Sequence, residues 1–412
     1  MRIPRNLRSC ATLLAVAAGV LAIAPGLAPG SIGARAQPAE IEVPAPKPAQ
    51  RLSLSQRIAL YRIRLKEWEK ARAVHEKRSA PYWRAITSKR SKRRRMHAKR
   101  QRVSLNDYVL SQPPLYAGPP KPVDPEAKPG AGRGIPVVAD FLRHAKKHFG
   151  FTPQRPAAEI DFKRAYAKAA LAAGFDKRTC VKIYGFEAGG NGTYDVQAGL
   201  EYNAPADAQA ISTALGYNQL LTANSIGLVA KHGKKFLAAL RAKAEAASGP
   251  RRRQLEDKIA TFTKIMRFTQ SVSYDWYKHV RLGRTEKGMA VHALNLDIDI
   301  GPMLQVQKLL NSVEFAKRYG VRRALPAAEL EMMNLTGDGN GIDMILMSQS
   351  MREKVPTANF FQQRGYERNS VAIRNNTVAK LIAATDAKME KEAKLPGARE
   401  LAAAFDEVAR GE

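Results

Sequence analysis

Residues 176–202 read DKRTCVKIYGFEAGGNGTYDVQAGLEY. The first half is a helix by its spacing. Asp176 is a capping residue, and Cys180, Ile183, Tyr184 and Glu187 follow at intervals of three and four that place them on one face. The second half, GTYDVQAGLEY, holds the only strand-like residues in the chain, enough for one small hairpin. This contrast sets the fold class as mainly α.

Outward from this stretch, helix follows helix. VADFLRHAKKHFG ends at Gly150, and AAEIDFKRAYAKAALAAG ends at Gly174, both glycine stops. PADAQAISTALG, ANSIGLVAKHG, KKFLAALRAKAEAASG, RRQLEDKIATFTKIMRF, GPMLQVQKLLNSVEFAKRYG, PAAELEMMNL and NTVAKLIAATDAKMEKEA continue the pattern. No repeat of fixed period is present. With 412 residues, 45% of them hydrophobic, the chain can build one substantial core with appendages or two small domains.

Glu187 stands where a helix favours a cation, because the carbonyl ends of the last turn are partly negative. Desolvation by the apolar face and those carbonyls both disfavour the anion, so its pKa should rise toward the range of a proton donor. Gly189, Gly190 and Gly192 carry no side chains behind it and leave room for a ligand. Two readings stand: a solvated helix end, or an acid held for chemistry.

Residues 214–226, ALGYNQLLTANSI, bring Gly216, Tyr217, Gln219 and Asn224 between two expected helices. With the Glu-x-Gly-Gly turn upstream, this resembles the lysozyme-like superfamily, in particular bacterial lytic transglycosylases and goose-type lysozymes. There an apolar helix ends in a catalytic Glu, and a small-residue turn, a G-[LY]-x-Q motif and an Asn on the following helix come after it. The resemblance covers roughly residues 175–235 and implies a lysozyme-like helical domain over 137–245. It implies Glu187 as the acid/base, with Gly190, Tyr194, Gly216, Tyr217, Gln219 and Asn224 at the substrate and Glu187 and Gln219 lining one cleft. The chain departs from the pattern at Ala188, where Ser is usual, and in the 32 residues from Glu187 to Gln219. Tyr274 and Tyr366 are alternatives for the tyrosine that often faces the acid.

The implied reaction cleaves the β-1,4 bond between N-acetylmuramic acid and N-acetylglucosamine in peptidoglycan. Glu187 protonates the glycosidic oxygen and then takes a proton from the muramoyl 6-hydroxyl, leaving a 1,6-anhydro end. A hydrolase needs a second carboxylate about 5–9.5 Å away. Asp195, Glu201 and Asp207 are open to that role, or are solvated loop and capping residues. The alternative from another class is a non-catalytic envelope protein that binds peptidoglycan or anionic polymer.

No cofactor or metal pattern is expected. LTGDGNGIDM (335–344) lacks the acidic twelfth position of a calcium loop, since Gln349 stands there, and reads as a turn with Asp343 capping the next helix. His232 is read at a helix C-terminus, and His292, near Asp297 and Asp299, has no second ligand at a recognisable spacing, so both are read as structural. Cys180 is read as a buried, inert thiol.

Arg2, Arg5 and Arg8, the apolar stretch 10–24 and Ala34-Arg35-Ala36 follow the order of a signal peptide over 1–36, so export to a bacterial periplasm or beyond is expected. A Pro/Ala spacer (37–50), a basic arm (51–110), a Pro-rich linker (111–136) and a C-terminal helical region (246–412) complete the organisation. The net charge is +31, and residues 51–103 hold 19 Lys and Arg against three Glu. That arm reads as an amphipathic helix on Ile58, Tyr61, Leu65 and Trp68, then a solvated basic run. Anionic cell-wall polymer or a membrane surface suits it better than nucleic acid, given export.

Overall fold

The structure, a computed structural model, describes residues 52–126, 135–188 and 212–411. The leader, the spacer, Gly190, Tyr194, Asp195, Glu201, Asp207 and the strand-like stretch lie outside the described residues. The protein is mainly α-helical, as the periodicity predicts. Among the described residues the β pairing is limited to two isolated bridges, Leu215 with Leu220 and Pro356 with Thr377.

The described residues fall into two compact units. The smaller holds residues 52–77 and 116–126. Its helical part is the first stretch of α1 (Leu54–Ala98), where Ile58, Tyr61, Leu65 and Trp68 are half-buried. The Pro-rich segment lies against this face. The Tyr116 ring packs edge-on to His75 at 5.4 Å between centroids and beneath the Arg72 guanidinium at 5.2 Å, and Lys121 sits 5.4 Å over the Trp68 ring.

The larger unit contains Arg78–Leu115 and the described chain from residue 135 onward. Its first cluster packs α3 (Glu159–Ala172) and α4 (Lys177–Ala188) with later helices, through Phe162, Tyr166, Cys180 and Tyr184. The second joins α2 (Val138–Phe149), α5 (Thr222–Glu245), α6 (Gly249–Thr269) and α8 (Glu286–His292), with α7 (Trp276–Gly283) between the last two. Next come α9 (Gly301–Arg318), α10 (Ala327–Thr336) and α11 (Asp338–Ile345). The short turns α12 (Gln349–Lys354), α13 (Gln363–Arg368) and α14 (Ser370–Arg374) precede α15 (Val378–Glu392) and α16 (Pro396–Arg410). The third cluster sets Trp83, Ile86 and Tyr108 against Met332, Met344, Phe360, Tyr366 and Leu381.

Three expectations need correction. The basic run is not solvated throughout: Arg90 and Arg93 are 5% and 1% exposed, on the same stripe as Trp83 and Ile86. Arg93 donates through Nε to Asp343 Oδ2 at 2.7 Å and through Nη1 to the Asp107 carbonyl, while Arg90 donates to the carbonyls of Asn359 and Phe361. Their aliphatic stems pack like apolar residues while the fork finds acceptors. Asp343, in turn, lies inside α11 and caps nothing; it receives Arg93, His97 at 2.9 Å and the Tyr108 hydroxyl at 2.6 Å. Finally, AKHGKK is the middle of α5 and not a break, so His232 is at no helix end. Gly233 serves contact there: a Cβ would stand 2.6 Å from Met266 Cγ on α6.

Candidate active site

The site begins at the N-terminus of α4. The Asp176 carboxylate accepts from the Thr179 amide at 2.8 Å and its hydroxyl at 2.7 Å, the cap expected from the sequence. From that start, Cys180, Ile183 and Tyr184 are buried, and Glu187 emerges half-buried on their side one turn later. Gly185 allows the approach to the end of α15, because a Cβ there would come 2.7 Å from the Glu392 carbonyl oxygen. Cys180 is buried, and desolvation pushes its thiol up to about 12, so it is no nucleophile at neutral pH.

Glu187 is met from α10, where Glu331 and Asn334 lie one turn apart in LEMMN. Asn334 Nδ2 donates to Glu187 Oε1 at 2.6 Å, and the carboxyl of Glu331 hydrogen-bonds that of Glu187. Desolvation raises the Glu187 pKa, against the bonds from Glu331 and Asn334 and the nearby charges of Lys308 and Lys388. Glu331, 5% exposed, is raised well above the usual carboxylate range by desolvation first and by the charge of Glu187 second. Two carboxylates in contact cannot both ionise in so dry a place. Both carboxyls are therefore pushed toward the protonated form, and they titrate as one unit.

A cleft reaches only one member of this pair: Ile183, Asn218, Lys308, Ser312, Glu331 and Asn334 are in its walls, and Glu187, expected to line it with Gln219, is not. Its cavity volume is about 10 Å³, room for about one water and far below the roughly 300–1,000 Å³ of small-molecule sites. Among the described residues this is a water-sized cavity and not a saccharide-length groove.

ALGYNQLLTANSI supplies one wall, though through a different residue from the one expected. Gln219 is not in that wall: its side-chain amide donates to the Gly216 carbonyl at 2.9 Å, within its own turn. Asn218 takes the place, held by Tyr166 (3.2 Å) and by two bonds to Gln305 (2.9 and 2.8 Å). Gly216 (φ 81°) is required twice, by its left-handed backbone and because a Cβ would lie 2.0 Å from Gln305 Nε2. Tyr217 is buried, with its hydroxyl on Glu159 at 2.6 Å, and Asn224 accepts from the Leu221 amide at the start of α5. Of PADAQAISTALG only 212–216 are described, and they are not helical; Leu215 and Leu220 close the turn there.

Neither alternative tyrosine has its partners at the acid. Tyr366 packs on Trp83 and Phe361 in the third cluster, and Tyr274, 63% exposed, packs on His279. His292 is buried between Ser225 (2.8 Å) and the Thr213 carbonyl (2.6 Å), and burial lowers its pKa to about 4. Asp297 and Asp299 are held by Lys258 at 2.9 and 2.5 Å.

Glu331 and Asn334 were missed in the sequence because a buried Glu at helical spacing reads as an ordinary helix residue. The available signal was an acid on the apolar side of LEMMN. A comparison with family models, curated proteins and solved structures finds no match for this chain.

Proposed function

We propose that the protein is an exported peptidoglycan-cleaving enzyme of the lytic transglycosylase kind, with Glu187 as its acid/base and Glu331 as the proton-holding partner. The observation that carries this reading is the hydrogen-bonded carboxyl pair Glu187–Glu331, with both pKa values raised and Glu331 in the wall of the cleft. A carboxyl that keeps its proton toward neutral pH is what protonation of a glycosidic oxygen requires. The same pair speaks against a two-carboxylate hydrolase built from Glu187 and Glu331. Carboxyls in contact leave no room for a water, and they stand closer than the roughly 5 Å of a retaining pair. One jointly titrating unit instead suits a route in which one group first donates and later accepts. The substrate class rests on the resemblance at 175–235, and the place of action on the leader-like residues 1–36.

The test is to incubate the protein and its Glu187→Gln variant with purified sacculi and weigh the products. Anhydro-muropeptides from the wild type alone support the proposal; reducing ends make it a hydrolase. The small cleft and the Asn334 bond that ties down Glu187 favour one second reading, a binding protein of the envelope. Intact sacculi that retain the protein tightly would establish that instead.

A further inference from the structure

The geometry points to a second site of different chemistry: a Zn²⁺ site made by His144, His148 and Glu286, with its fourth position left to solvent. His144 and His148 are four residues apart on α2 and so share one face, and Glu286 is the first residue of α8 beside them. One ligand atom from each of the three lies within 4.8 Å of the others. The Glu286 carboxylate oxygen is 3.0 Å from His148 Nε2 and 3.7 Å from His144 Nδ1. Tetrahedral zinc with bonds of about 2.0–2.1 Å holds its ligand atoms roughly 3.3 Å apart, so these separations need little adjustment.

A second observation singles out His144. The residue is 6% exposed, and its buried Nδ1 makes no hydrogen bond among the described residues while facing the Glu286 carboxylate. A buried ring nitrogen without a hydrogen bond is costly, and a metal bond satisfies it. The opposing feature is positive charge. Lys147 Nζ holds Glu286 at 2.7 Å and must swing away; it is 60% exposed and free to do so, while the Arg143 side chain is bonded to Asp140 at 2.6 Å. Three protein ligands with a solvent-facing carboxylate leave a coordination position open, as in zinc sites that hold a water.

The full chain, tag-free and stripped with chelator, is titrated with Zn²⁺ by calorimetry, and with Co²⁺ by visible absorption. The proposal expects one saturable equivalent, the absorption bands of four-coordinate Co²⁺, and in each of His148→Ala and Glu286→Gln a weakening at least as large as the roughly 10–100-fold that loss of an outer-shell partner costs. Lys147→Ala should tighten binding several-fold by removing the competing ammonium. His148 and Glu286 are both solvent-accessible, so circular dichroism of the two variants should match the wild type. Absence of a saturable equivalent, or equal affinity in both ligand variants, overturns the site.

Discussion

Glu187 and Glu331 form the unit on which the residue-scale chemistry turns, and its titration has a definite sign. Glu331 has a folded-state pKa well above its ordinary 4.5, so its contribution to stability is complete below that pH and is lost as pH rises toward the folded value. Glu331→Gln resembles the protonated acid at every pH. The variant should match the wild type near pH 4 and exceed it in stability at neutral pH, by at most about 1.4 kcal/mol per pH unit across the window. Melting temperatures across pH 4–8 check this, and a constant difference would remove the raised pKa from the account. By carboxyl-carbon NMR, the step that titrates far above the usual carboxylate range should vanish in the same variant. At Gly216, alanine brings both left-handed strain, about 1–2 kcal/mol, and displacement of Gln305. A loss above about 2 kcal/mol in denaturant unfolding is expected; a smaller one would mean the turn is looser than its bonds imply.

At the scale of elements, α1 has the least expected role. Its stripe starts with Ile58, Tyr61, Leu65 and Trp68 and continues at the same spacing through His75, Ser79, Trp83, Ile86, Arg90 and Arg93. The stripe changes chemistry, from apolar to cationic, while keeping its period. The Arg93–Asp343 pair is 1% and 5% exposed, so removing one partner leaves a buried charge uncompensated. Arg93→Ala should cost about 3–5 kcal/mol, and Arg93→Ala with Asp343→Asn should cost less than the sum of the two single changes. Urea midpoints of the three variants form the cycle, and strict additivity would deny the pair its coupling.

For the whole molecule, the net charge is +31, and the fold determines which of those charges stay at the surface. Deleting the entire basic block would strip Trp83, Ile86, Arg90 and Arg93 from the third cluster, so loss of binding in such a deletion would report unfolding. Arg62, Arg64, Lys66 and Lys70 are exposed and free of that cluster. Changing these four to Gln should weaken retention on sacculi or anionic vesicles at low salt, with wild type and variant converging near 1 M salt, where the Debye length is about 3 Å. Co-sedimentation over a salt series reads this, and equal retention at low salt would separate the arm from anionic partners.

The sequence by itself determined the helical class, the cap at Asp176, the burial of Cys180 and the placement of Glu187 on an apolar face. Each of these is local, set by spacing and by the chemistry of residues within one or two turns. Only the tertiary structure decided what Glu187 meets, because Glu331 and Asn334 lie more than 140 residues away in sequence and declare nothing in their own helix. The same holds for Asn218 in place of Gln219, chosen by Gln305 across the core, and for Gly233, a stop by composition but a contact by packing. Arg93 and Asp343 belong with them: a charge in sequence is a solvated group by default, and only a partner brought from 250 residues away makes it part of a core.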